Sequence, residues 1–225
     1  MKMYNIFKYK KTNFLAGGAK SNDFVDIKKF LKIPKGYLPP RKIDCRDLCL
    51  KSSQQGPHPF CVGYAVAGCI EVSKWRFGGK LEQVNGAKIY SEAKIIDNHP
   101  NDEGTTLFAG VQAAIVLGHI PNEWEYVYTK EMLKRALHVF GTFPATFNID
   151  DDWNYVDRST GMIRNNKNTN KIGGHCVLCC GFSDDGLYIQ NSWGQEWGHY
   201  GFAILPWDKF DEQFTGGIAF WGIKP

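Results

Sequence analysis

The chain has 225 residues, enough for one large domain or two closely packed lobes, and its 43% hydrophobic and 14% aromatic content excludes wholesale disorder and collagen-like structure. The net charge, 27 − 23 = +4, is small, and the lysines are densest in the first 35 positions rather than along a helix face, which argues against nucleic acid as a partner. No uncharged apolar stretch approaches the ~18 residues of a membrane span, and the N-terminal run MKMYNIFKYKKTNFLAGGAK interrupts its apolar residues with Lys and Asn, so no membrane helix or secretory signal is expected.

Residues 1–37, Lys-rich with Gly17-Gly18 and one short helical pattern (Phe24, Ile27, Phe30, Leu31), read as an N-terminal extension or short pro-segment. Leu38-Pro39-Pro40 marks the boundary to the domain at 38–225. Turn chemistry at Gln55-Gly56-Pro57-His58-Pro59 then leads into an apolar run with Val62, Ala65, Val66, Cys69, Ile70 and Val72 at helical spacing. This predicts a helix over 60–77, stopped by Gly78-Gly79, with Cys61 in its first turn. A second helix capped by Thr105 or Thr106 is expected through Leu117, ended by Gly118. A third, opened by Thr129, runs from Glu131 to Phe140 and ends at Gly141. After Pro144 the pattern changes to short β-rich pieces: Ala145–Ile149, His175–Phe182, Leu187–Asn191, Gly201–Leu205 and Ile218–Ile223. Helices first and sheet second is the α+β pattern.

Seven cysteines, Cys45, Cys49, Cys61, Cys69, Cys176, Cys179 and Cys180, make an odd total, so at least one thiol is unpaired within the chain. The adjacency of Cys179 and Cys180 and the lack of a visible signal favour a reducing, intracellular and cytoplasmic setting. Cys61 stands out because a thiol at a helix N-terminus feels the macrodipole and unpaired N–H groups, which stabilise a thiolate. Gln55, 61 − 55 = 6 residues earlier, lies across a Gly-Pro loop that can fold its amide back over the thiol as an oxyanion donor. His175 follows Gly173-Gly174, and Asn191 lies 191 − 175 = 16 residues on, which matches two antiparallel strands joined by the Ser183 to Gly186 turn and sets an amide beside the imidazole.

With those residues in hand, the chain resembles the papain family of cysteine peptidases. Four blocks carry the likeness in the family's order: Gln55-Gly56 to Cys61, DEGTTLFAGVQAAIVLGHIPNEWEY from Asp102, GGHCVLCCGF from Gly173, and NSWGQEWGHYGF from Asn191. Leu38-Pro39 followed by Asp44 and Arg46 extends it over about 38–225. The resemblance implies a two-lobed fold, a helical lobe at roughly 50–125 against a β-rich, barrel-like lobe at roughly 126–225, with an active-site cleft between them and no cofactor. It makes Cys61 the nucleophile, His175 the base and later acid, Asn191 the residue that orients the imidazole, and Gln55 an oxyanion donor with the Cys61 backbone N–H. Trp193 shields the His–Asn bond, and Phe60, Gly104, Thr105, Thr106 and Gly174 join it along the substrate cleft. Protein or peptide substrates follow for a monomeric enzyme. The alternative is an intracellular isopeptidase acting on ubiquitin or ubiquitin-like conjugates, and a non-catalytic binding module is the reading from another class.

Three departures qualify the resemblance. His58 stands where the family's disulfide partner is usual, Pro59-Phe60 replace a small pair before the nucleophile, and Thr105-Thr106 stand where Gly-Gly is frequent. Bulk at Pro59-Phe60 is expected to narrow the channel and favour glycine next to the scissile carbonyl. A rival metal site from Cys45, Cys49, Cys176 and Cys179 fits poorly, because positions three apart on a strand face opposite sides.

Overall fold

The computed structural model describes residues 38–99 and 101–222. The extension assigned to 1–37 and the final residue of the strand predicted to end at Ile223 lie outside the described residues.

The apolar run after the Gly-Pro loop forms helix α1 (Cys61–Gly78), buried around nearly its whole circumference for the first three turns. Small residues make that possible. A Cβ on Gly63 would sit 2.1 Å from the Gly86 carbonyl oxygen, so the start of a second helix, α2 (Gly86–Ile96), presses directly against α1. The predicted stop holds: Gly79 adopts φ 63° and its N–H bonds back to Lys74 and Trp75 carbonyls. Helix α2 was not anticipated, because its N-cap Asn85, which accepts the Lys88 N–H at 3.0 Å, is followed by Gly86 rather than by an apolar-periodic residue. The next two helices begin on the predicted caps. Thr106 Oγ1 accepts the Ala109 N–H at 3.1 Å to open α3 (Leu107–Val116), and Thr129 Oγ1 accepts from Met132 at 3.2 Å to open α4 (Lys130–Phe140). A short α5 (Trp207–Gln213) follows late in the chain.

Seven strands form one antiparallel sheet: β1 (Ile43–Asp44), β2 (Trp124–Val127), β3 (Phe143–Asp150), β4 (Lys171–Phe182), β5 (Gly186–Gln190), β6 (Phe202–Pro206) and β7 (Phe214–Phe220). Their order is β2-β7-β3-β4-β5-β6, with β1 added to the end of β4. All five predicted strands are present with shifted ends, and the β4–β5 turn closes with the Ser183 N–H on the Gly186 carbonyl at 3.0 Å.

Two apolar cores result, as the two-lobed α+β expectation requires. One gathers α1, α2 and α3 with Cys176, Leu178, Ile218 and Phe220; the other gathers α4 and α5 with Val177, Cys179, Phe147 and Leu205. Strand β4 feeds both. Its side chains alternate with period two, Cys176 and Leu178 toward the helical core and Val177 and Cys179 toward the other, so a polar residue at its head lies at the junction of the lobes.

Candidate active site

Cys61 is the first residue of α1, and Phe60, its N-cap, offers no side-chain cap. Cys61 lies in the helical core together with Cys176 of β4. Because Cys176 follows His175, that shared packing sets the thiol near the segment of β4 that carries the imidazole. Both side chains are 1% exposed. Burial decides the protonation state: it pushes the thiol up to about 11 against the opposing pull of neighbouring backbone N–H groups. This corrects the expectation of a lowered thiol at the helix N-terminus, since desolvation outweighs the helix-end donors in a site closed to water.

His175 faces Asn191 as the strand spacing predicted. Nε2 lies 2.8 Å from Asn191 Oδ1, and the same oxygen accepts the Ser192 backbone N–H at 2.8 Å. Flipping the Asn191 amide would set its NH2 against that N–H, so oxygen belongs there and Nε2 is the protonated ring nitrogen. Nδ1 is then the bare one, and it is buried with no hydrogen-bond partner among the described residues. Burial drives His175 down to about 4, with the Asn191 bond opposing. Cys61 and His175 therefore rest as neutral thiol and neutral imidazole. The Trp193 ring lies 4.8 Å from the imidazole, tilted 33°, and Trp153 meets it edge-on at 6.1 Å.

Gln55 is 5% exposed and held at both ends of its amide. Oε1 accepts from Ser192 Oγ at 2.5 Å, Nε2 donates to the His58 carbonyl at 2.7 Å, and the backbone N–H of Gln55 bonds to the Ser192 carbonyl at 2.8 Å. One of the two amide hydrogens is thus committed to the loop. The segment is stitched further by Ser52 Oγ on the Asn191 carbonyl at 2.5 Å and by Gln54 Nε2 on the Trp193 carbonyl at 3.1 Å.

The residues assigned to the cleft divide. Gly174 sits beside His175 on β4, paired with Asn148, and is half-buried, as is Trp193. Phe60 is half-buried, with His58 stacked on it at 4.9 Å and Tyr90 at 4.6 Å. Gly104 is buried in a left-handed conformation, φ 80°, and its carbonyl accepts from Lys94 Nζ at 3.0 Å. Thr105 gives its hydroxyl to Asp97 at 2.6 Å, while the Thr106 hydroxyl is the α3 cap. The sequence reading gave no role to Ser192 or Tyr90. Ser192 stands inside the NSWG string, but the partner of a buried hydroxyl is a property of the fold, and Tyr90 lies on the helix that went unrecognised.

All seven cysteines are free thiols, and Cys176 and Cys179 lie in different cores, so the rival metal set does not converge.

Residues 104–212 match the family described as papain family cysteine protease. Xylellain, a cysteine protease from Xylella fastidiosa, superposes with a TM-score of 0.69 at 19% identity, covering 83% of this chain and 88% of that one. Procathepsin B S9 from Trypanosoma congolense gives 0.63 at 12% identity over 83% and 79%, and digestive procathepsin L 3 of the Tenebrio molitor larval midgut gives 0.62 at 14% over 84% and 72%. No curated protein matches in sequence.

Proposed function

We propose that this chain is a cysteine peptidase of the papain family, whose sequence pattern residues 104–212 match and whose fold it shares, and that it hydrolyses peptide bonds through Cys61, His175, Asn191 and Gln55. The observation that carries this reading is the bare, buried Nδ1 of an imidazole whose other nitrogen is fixed by Asn191, on the strand whose Cys176 shares an apolar core with Cys61.

In the proposed reaction His175 Nδ1 takes the Cys61 proton as the sulfur attacks the carbonyl carbon, converting C=O to an oxyanion. The Cys61 backbone N–H and the second Gln55 amide hydrogen face that charge. Asn191 accepts from Nε2 throughout, so the imidazolium formed in this step keeps its orientation, and Trp193 keeps water from the bond. Collapse breaks the C–N bond, and the amine leaves with the proton held on Nδ1. Water then attacks the thioester, giving its proton to Nδ1; the acid departs and the Cys61 thiol is restored.

Protein and peptide carbonyls are the proposed substrates, with hydrolysis of ubiquitin or ubiquitin-like conjugates a special case of the same chemistry. The test is turnover of fluorogenic peptide amides and of a ubiquitin C-terminal amide by the purified chain, beside Cys61→Ala. Turnover by the parent and none by the variant is expected; turnover that survives Cys61→Ala would overturn the assignment.

A further inference from the structure

Cys61 is 1% exposed although it heads its helix, where no preceding turn can cover it. The cover on that side begins with the residue before it. Phe60 belongs to neither apolar core, yet it is held between two rings, His58 at 4.9 Å and 16° and Tyr90 at 4.6 Å and 42°. Tyr90 cannot swing aside. It is 8% exposed, and its backbone and Cβ lie 3.0 Å from where a Gly63 Cβ would stand, so α2 is locked on α1 at this level. Beyond it, the Gly104 carbonyl is tied to Lys94 Nζ at 3.0 Å. His58, at the solvent end, is exposed. The result is a stack of rings that runs from the exposed loop, through the nucleophile's own neighbour, to a fixed side chain of α2.

We propose that the His58–Phe60–Tyr90 stack is a specificity-determining partition that admits glycine, and excludes larger residues, at the position supplying the attacked carbonyl; the proposal rests on the Cys61 peptidase reading. The reason is geometric. Consecutive Cα atoms are about 3.8 Å apart, so Phe60 is within one residue of the nucleophile, and in the proposed partition the carbonyl carbon bonded to Cys61 Sγ carries its α-carbon to the Phe60 side of the thiol. A side chain on that α-carbon competes with the Phe60 ring for volume, whereas glycine brings none. Exclusion of this kind creates selectivity without a new attractive contact. The substrate class is therefore a peptide or protein with glycine on the acyl side of the scissile bond, its remaining affinity supplied by surfaces away from the thiol.

The experiment compares kcat/KM for two fluorogenic peptide amides that differ only in a terminal Gly or Arg, using the parent chain, Phe60→Ser and His58→Ala. The parent should prefer glycine on the order of 100-fold, the scale that pocket size alone can supply. Phe60→Ser should lower that ratio at least tenfold by raising the Arg substrate. His58→Ala removes only the exposed end of the stack, and should lower the ratio partway without touching the core. A parent enzyme that takes Arg as well as Gly overturns the partition and leaves the peptidase reading standing, whatever the variants do. A ratio unmoved in both variants overturns it as well. No turnover of either substrate, together with no alkylation of Cys61 by Gly-ended or Arg-ended peptidyl chloromethyl ketones in any of the three proteins, overturns the peptidase reading and the partition with it.

Discussion

The Ser192 hydroxyl donates to Gln55 Oε1 at 2.5 Å while the Ser192 backbone N–H donates to Asn191 Oδ1 at 2.8 Å. One residue thereby aligns the amide assigned to the oxyanion and the amide that orients His175, which reach the site from opposite ends of the chain. Ser192 touches no reacting atom in the proposed mechanism and is a positioning residue.

Ser192→Ala should lower kcat by roughly tenfold with little change in KM, because Gln55 keeps its bond to the His58 carbonyl but loses the one that sets its rotation. Gln55→Ala removes the donor itself and should cost on the order of 10²–10³ in kcat. Steady-state kinetics on both variants checks the order. A Ser192→Ala loss equal to that of Gln55→Ala would give the hydroxyl a direct part in the chemistry.

Cys61→Ala and His175→Ala should each abolish turnover, and the double variant should be no worse than either, since nucleophile and base act as a unit. Asn191→Ala should cost less, as Nδ1 survives while the ring loses its anchor. Cys69 supplies the control: it is equally buried on the same helix, but its sulfur engages Thr142, and Cys69→Ala should retain activity. If activity tracks Cys69 instead, the nucleophile is misassigned.

Legibility of the fold followed local chemistry. Thr106 and Thr129 open their helices, and Gly79 and Gly141 close theirs, by hydrogen bonds and backbone conformations that the residue types themselves favour, and the sequence reading found them. Helix α2 was missed because Gly86 at its start serves a tertiary purpose, close approach to Tyr64 on α1, and weakens the local signal. The NSWG and GGH strings made His175 and Asn191 legible, as did the strand spacing between them. The protonation state was not legible, since it depends on how completely two lobes close around the thiol, and that is set by packing far along the chain from Cys61.

The pH response follows from that closure. A neutral His175 is the base, and its folded-state value of about 4 lies below the ordinary 6.5, so kcat/KM should rise as pH increases through about 4 and be near its plateau by pH 6. The same shift acts on stability. A depressed histidine contributes fully above 6.5, and its contribution is lost as pH falls toward 4, where the unfolded chain takes up the proton first. An acid limb centred near 6.5 in the rate profile would mean the imidazole is solvated in the working enzyme.

Glu125 predicts the opposite slope. It lies on β2 opposite Ala219, is 8% exposed, and its Oε2 has no hydrogen-bond partner among the described residues. Burial alone raises its carboxyl from 4.5 to about 7, so the folded chain prefers the protonated acid. A raised acid contributes stability that is complete below 4.5 and is lost as pH rises through about 7, because the unfolded chain releases the proton first. Glu125→Gln keeps the shape of the neutral acid and cannot ionise. At pH 5 its melting temperature should match the parent's. At pH 8 it should be higher, by about 1–3 kcal/mol if the relieved burden is that of one unpaired buried polar group. For a chain of this size each kcal/mol reads as roughly 2–4 °C. Thermal unfolding at the two pH values decides it: an equal shift at pH 5 and pH 8 would show that the effect comes from packing on β2 and not from the charge.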